Sequence, residues 1–311
     1  MMTLKILVKN MNLLNEFYIK DKRGNRVKFK PNRVQIDYMK KRTGRDFVLK
    51  ARQMGFTTFE QLRKLKKILL NENITVATIS YDRDKLDDIF RIAKFAWENL
   101  PEDFKALYGV RFDNVRELYL GNTASRYFVD LNMRSGTVHD LHISEFAMIS
   151  DIEDLFASSL ETVPKYGSIT LETTANGLNK AHDVWQDAVE GRNEFTPHFY
   201  NWTWDEDYWE TPPQNDSWRE DYKVLAKKYN LISDIQEKYG LSDEQFYWYY
   251  LKARRLKELV KQEYPTIAEE AFLSSSISVF DLYKVAQLKA LEPIRTFRGV
   301  NIYREPKAGN K

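Results

Sequence analysis

The stretch Val48-Leu49-Lys50-Ala51-Arg52-Gln53-Met54-Gly55-Phe56-Thr57-Thr58 passes from an apolar, β-rich run into a glycine-bearing loop and then into the periodic start of a helix. Strand, tight loop and helix N-terminus in that order gather unpaired backbone N–H groups at the positive end of a helix dipole, an arrangement that holds phosphate. In the phosphate loop Gly-x-x-x-x-Gly-Lys-[Ser/Thr], the hydroxyl ligates Mg2+ and the lysine neutralises the β/γ-phosphates. Only Gly55 and Thr57 match that spelling: Phe56 stands at the lysine position and Lys50 at that of the first glycine. By spelling alone, an ordinary βα turn is the commoner source of such a stretch. A nucleotide loop still needs a cation, because transition-state charge spreads over oxygens that backbone dipoles do not fully neutralise. Arg52 is the expected cation, with Lys50 in reserve. Lys50, Gln53, Met54, Gly55, Phe56, Thr57 and Thr58 are the expected nucleotide contacts.

Outward from the loop, β-rich runs at Phe47–Leu49, Ile74–Ile79, Tyr127–Val129, Leu141–Ile143 and Ser168–Leu171 alternate with helical or turn-rich stretches. An amphipathic helix is predicted over about 57–70, and Lys85 to Glu98 repeats apolar residues at helical spacing. Such alternation predicts an α/β fold with a mainly parallel sheet. After Trp209 the pattern changes. Pro212-Pro213-Gln214-Asn215-Asp216 reads as a linker, Trp218–Tyr229 as a helix, and Ser242-Asp243-Glu244-Gln245 as a capping box opening a helix to about Glu263. The expected division is a core at 1–212, a helical lid at 213–285 and a linker at 286–311.

The chain of 311 residues has no cysteine and four histidines, which excludes disulfides and Cys-ligated metal centres. No apolar run approaches the ~20 residues of a membrane span. Residues 1–70 hold 19 Lys/Arg against 5 Asp/Glu, so a net charge of +3 hides a strongly basic N-terminal region. That asymmetry suits a polyanion, or simply a solvated basic face.

His139-Asp140-Leu141-His142-Ile143-Ser144-Glu145 is a short strand ending in a carboxylate. In P-loop ATPases an equivalent strand ends in Asp-Glu, the Asp serving Mg2+ and the Glu polarising the attacking water. Ser144 replaces the Asp here, leaving Thr57, Ser144 and water as the expected Mg2+ ligands and Glu145 as the base. His139 and His142 point to opposite faces of a strand and do not form a metal pair.

Taken in order, six segments resemble the ATPase domain of the large terminase subunit, the DNA-packaging motor of tailed bacteriophages. They are Pro31-Asn32-Arg33-Val34-Gln35, Arg52 to Thr57, Ser144-Glu145, Glu172-Thr173-Thr174-Ala175-Asn176-Gly177, Phe199-Tyr200-Asn201-Trp202, and Glu263 to Phe272. The resemblance implies a P-loop NTPase fold of the ASCE type with a small helical lid. It implies ATP and Mg2+, Gln35 reading the adenine edge, and Thr173 and Thr174 sensing hydrolysis. Arg134, on the loop before the carboxylate strand, would reach a neighbouring subunit's γ-phosphate. Implied partners are double-stranded DNA, a portal protein on a procapsid, the small terminase subunit and further copies in a ring. The place of action would be the host cytoplasm, and no membrane is implied. The nuclease domain of full-length relatives has no counterpart before Lys311, so no DNA cutting is expected. Competing expectations are another nucleic-acid-stimulated P-loop ATPase, such as a helicase or remodeller, and a non-catalytic DNA- or portal-binding scaffold.

Overall fold

The structure is a computed structural model that describes residues 13–134, 136–272, 293–297 and 300–303. β1 (Tyr18–Lys20) and β2 (Arg26–Lys28) form an antiparallel hairpin. Its turn closes on the Asp21 carboxylate, which accepts from the N–H groups of Arg23 at 2.9 Å and Asn25 at 2.8 Å. α1 (Arg33–Lys41) starts at a capping box in which Asn32 and Gln35 exchange side-chain and backbone hydrogen bonds, both at 3.0 Å. There follow β3 (Arg45–Lys50), α2 (Phe56–Leu70), β4 (Thr75–Ile79), α3 (Arg83–Glu98), β5 (Val110–Asp113), β6 (Glu117–Leu120) and β7 (Ser125–Asp130). β8 (Asp140–Ser144), α4 (Ile152–Ser158), β9 (Ser168–Thr173), α5 (Lys180–Val189) and β10 (Thr196–Tyr200) complete the α/β part.

Eight of these strands make one sheet in the order β10-β3-β9-β8-β4-β7-β6-β5. Pairing is parallel from β10 to β7 and antiparallel beyond it. All five expected runs are strands of the parallel part. The antiparallel edge was not expected: β6 is short, and its alternating half-buried residues give a weak signal. β9 lies between the loop strand β3 and the carboxylate strand β8, the additional strand of the ASCE arrangement.

The two faces of the sheet differ in chemistry. Phe47, Leu49, Ala77, Ile79, Leu141, Ile143, Ile169 and Leu171 point one way into an apolar layer with Ile152, Leu155, Val184 and Trp185 of α4 and α5. The opposite face, under α2, carries Val48, Val76 and Tyr127, but also buried Asp46, Lys50, Thr78, Asp140, His142, Ser144, Thr170 and Glu172. α2 answers with Thr57, Glu60, Gln61, Arg63, Lys64 and Lys67, a polar stripe at helical spacing. Arg63 and Lys67 bond the Asp140 carboxylate at 2.6 and 2.8 Å, and Lys64 bonds it too.

α6 (Ser217–Tyr229) and α7 (Asp243–Leu256) occur where the sequence places helices, α7 behind the Ser242–Gln245 capping box. The expected run to Glu263 is broken at Lys257, whose φ of 57° is left-handed, and resumes as a short helix at Val260–Glu263. Trp202 stacks on Tyr249 at 4.7 Å and Tyr208 on Trp248 at 4.3 Å, so these helices share the hydrophobic core of α1, α2 and α3. One compact unit thus runs from the first described residue through Phe272, across position 212. The expected lid residues 273–285 lie outside the described residues. Within the expected linker 286–311, β11 (Arg295–Phe297) and β12 (Val300–Ile302) pair as an antiparallel hairpin. Among the described residues, no helix is long and apolar enough to cross a membrane.

Candidate active site

β3 delivers the loop at the carboxyl edge of the parallel strands, where α/β sheets bind ligands. Gln53, at φ 56°, and Gly55, at φ 69°, both adopt the left-handed conformation and turn the chain into α2. Two side chains from the start of α1 hold this loop from below. Asn32 Nδ2 donates to Met54 O at 3.0 Å and Gln35 Nε2 to Gly55 O at 2.8 Å. With those carbonyls tethered, the N–H groups of Gln53 through Thr58 are left without a partner among the described residues. The first four N–H groups, here those of Gly55 through Thr58, are orphans in any helix; the loop adds those of Gln53 and Met54.

Several expected contacts take other roles. Phe56 is buried, its ring centroid 4.8 Å from that of Tyr38 in an edge-to-face contact, so its side chain belongs to the core. The Met54 side chain is buried as well. Gln35, expected at an adenine, has its carbonyl oxygen on Asn32 N and its amide nitrogen on Gly55 O. Its place is under the loop.

The two cations of the loop point apart. Arg52 is half-exposed and forms an ion pair with Glu263, whose carbonyl also accepts from Arg52 N at 3.0 Å. Tyr208 donates its hydroxyl to Arg52 O. Arg52 therefore binds the loop to the helical segment. Lys50, the last residue of β3, is buried with its Nζ 2.8 Å from Glu172 Oε1. Burial opposes its charge, but Glu172 and Glu145 together raise its pKa above the usual lysine range. Arg134 is exposed and bonded to Asp154 at 2.9 Å; no contact joins it to the loop or to Glu145 among the described residues.

Glu145 follows β8 in the left-handed conformation at φ 54°, which for a glutamate is strained and re-aims the side chain at the strand end. Thr174 Oγ1 donates to Glu145 Oε2 at 3.4 Å, and Thr173 Oγ1 accepts from Ala147 N at 3.0 Å. The two threonines thus touch the carboxylate and the turn that follows it.

Sequence reasoning assigned no role to Glu172, yet it is the hub. It sits in β9 in register with Ser144 of β8. Besides Lys50 it accepts from His142 Nε2 at 3.0 Å, Thr57 Oγ1 at 3.3 Å and Ser144 Oγ at 3.4 Å. Gln61 Nε2, a donor, lies 3.3 Å from His142 Nδ1, which fixes the imidazole proton on Nε2 facing Glu172. Burial would raise the Glu172 pKa, but Lys50 and His142 hold the carboxyl below its ordinary range. The available signal was a charge inside an otherwise apolar strand, which demands a buried partner.

Magnesium takes few protein ligands, completing its shell with water and phosphate oxygens. The half-buried Thr57 hydroxyl, at the loop on the second residue of α2, fits that requirement. Ser144, whose hydroxyl lies on Glu172 as that of Thr57 does, is fully buried and fits it less well.

A parallel sheet with an extra strand between a phosphate-type loop and a strand-end glutamate is the fold of a P-loop ATPase. Within that class the chain is similar in fold to the large terminase of bacteriophage HK97, at a TM-score of 0.53 and 12% identity. The match covers 84% of this chain and 55% of that one, so the chain spans little more than half the length of the HK97 protein. The large terminase ATPase domain of Thermus phage P74-26 aligns at a TM-score of 0.48 and 17% identity, over 76% of this chain and 93% of that one. No family model matches the sequence.

Proposed function

We propose that this chain is the ATPase region of a phage large terminase, hydrolysing ATP to drive double-stranded DNA into a procapsid. One observation carries the proposal: the N–H groups of Gln53 through Thr58 have no hydrogen-bond partner among the described residues and follow in the chain on Lys50, a buried lysine at the end of β3 with Glu172 Oε1 at 2.8 Å. The triphosphate sits on those N–H groups with Lys50 as its cation, replacing Arg52 in that role. Bound Mg2+, held through Thr57, supplies further neutralisation of the phosphates. Glu145 orients water toward the γ-phosphate, and preorganised donors stabilise the charge that develops as the bond breaks. Thr174, on Glu145, and Thr173, on the following turn, register loss of the γ-phosphate.

Arg52 and Glu263 carry the change from the loop into the helices at 217–263, which act as the lid. Around a ring of copies on a portal protein, fed by the small terminase subunit in the host cytoplasm, that motion advances DNA through phosphate contacts. Arg134 serves a neighbour's site by exchanging Asp154 for a phosphate.

The test is Glu145→Gln, with phosphate release measured with and without duplex DNA. We expect turnover to fall by roughly 10²–10⁴ while nucleotide still binds; equal turnover of both proteins would end the assignment. DNA stimulation should weaken steeply with salt and ignore sequence.

A further inference from the structure

P-loop ATPases place an aspartate at the end of the carboxylate strand, where it serves Mg2+ together with the hydroxyl of the loop Ser/Thr. At that position this chain has Ser144, which cannot supply a negative charge. The neighbouring strand can. Glu172 is the parallel-register partner of Ser144, so the two side chains leave the sheet side by side on the same face. Its carboxylate lies 3.4 Å from the Ser144 hydroxyl and 3.3 Å from the Thr57 hydroxyl. The charge is therefore delivered one strand over, and the extra methylene of glutamate compared with aspartate gives it reach. Lys50 at 2.8 Å and His142 at 3.0 Å hold it in place.

We infer that Glu172 takes over the acidic role vacated at Ser144, positioning the Thr57 hydroxyl and serving the magnesium-bound nucleotide from β9. The inference rests on the nucleotide-site reading above. A buried partner that merely neutralised Lys50 would need only one oxygen. Glu172 instead divides its oxygens between Lys50 and the Thr57 and Ser144 hydroxyls. The placement also explains why His142 is buried in the middle of β8. It donates to the same carboxylate and is itself backed by Gln61, a second layer of support beneath the site.

The test uses binding, not turnover. ADP and a slowly hydrolysed ATP analogue are titrated into the full chain by calorimetry, once in Mg2+ and once in EDTA, with circular dichroism confirming the fold. In the wild type Mg2+ strengthens binding. Glu172→Gln should reduce that enhancement, taken as the ratio of Mg2+ to EDTA affinity of the same protein, by about 10–100-fold, the usual cost of removing an outer-shell partner. Restoring an acid in the usual place, with Ser144→Asp in the Glu172→Gln background, should return the enhancement. Should Glu172→Gln not fold, Glu172→Asp decides. It keeps a charge opposite Lys50 but withdraws the carboxylate, and the enhancement should fall. A Mg2+ enhancement equal to wild type in the folded Glu172 variant overturns the inference and leaves Glu172 as the counter-ion of Lys50. Absence of nucleotide binding by the wild type in both buffers sinks the site reading and this inference together.

Discussion

Replacing Asp140 by Asn removes one charge from beneath α2. The Asp140 carboxylate is fully buried and accepts from Arg63 at 2.6 and 2.8 Å, from Lys67 at 2.8 Å and from Lys64. The three cations fare differently without it. Arg63 keeps the Glu60 carboxylate, with contacts at 2.7, 3.0 and 3.1 Å. Lys67 is partly exposed and can turn to water. Lys64 has no exposed surface, and its other acidic neighbour, Glu60, is 3.7 Å away. The cost is thus close to that of orphaning a single buried charge, at the lower end of the usual 3–5 kcal/mol, or about 3 kcal/mol. With an m-value of about 3 kcal/mol/M in urea, the midpoint falls by about 1 M. Urea denaturation followed by tryptophan fluorescence at neutral pH measures it. Adding Lys64→Met to Asp140→Asn should recover most of the loss, since an apolar side chain then fills the place of the orphaned ammonium. A loss below about 1 kcal/mol, or a double variant no better than the single, refutes the account of α2 as an electrostatically keyed helix.

Other outcomes follow from the same geometry. Lys50→Met should lower turnover by roughly 10²–10³, as loss of a preorganised transition-state contact does, whereas Arg52→Ala should chiefly loosen the helical segment; the reverse order in a phosphate-release assay would return the cation role to Arg52. Gly55→Ala forces a side chain into the left-handed region at a cost of about 1–2 kcal/mol. Its Cβ would meet Gln35 Nε2 at 3.0 Å, so nucleotide affinity should fall, and an unchanged affinity by calorimetry would contradict the tether. Asp46, Glu60, Asp140 and Glu172 all have pKa values lowered by their partners despite burial. Depressed carboxylate pKa values stabilise above the unfolded pKa near 4 and lose that contribution as pH falls through the folded values, at about 1.4 kcal/mol per pH unit for each group. The carboxylate contribution should therefore be level between neutral pH and about 5 and drop steeply below about 4, with Asp140→Asn dropping less steeply in acid melts.

Strand positions were legible because β3, β4, β8 and β9 are apolar enough to be read as buried runs, and because Gly55 marks the turn into α2. The capping residues Ser242 and Gln245 act locally, so sequence spacing was enough to find them, whereas Gln35, which caps α1 with Asn32, was expected at an adenine. Glu145 was expected from its place at a strand end, and Thr173 and Thr174 only from the resemblance to large terminases. What spacing cannot convey is register. Glu172 meets Ser144 only because β8 and β9 pair as they do, and Lys50 meets Glu172 only because β3 is the other neighbour of β9. Arg52 was expected ahead of Lys50 for a related reason, because spacing does not show where either side chain points. One is the last residue of a strand, held to its face, and the other lies in a loop whose direction depends on Glu263, far along the chain.

The polar stripe beneath α2 also has a mechanical meaning. An apolar helix–sheet interface resists separation but offers little opposition to sliding, because dispersion contacts are numerous and undirected. Hydrogen bonds and ion pairs tolerate little displacement. Thr57 on Glu172, Gln61 on His142, and Arg63, Lys64 and Lys67 on Asp140 are spread along the helix and pin it to the strands at successive points. Under load, α2 and the sheet would behave as a keyed joint with high shear stiffness. A displacement begun at the loop would then reach the far side of the sheet instead of being absorbed as slip beneath the helix.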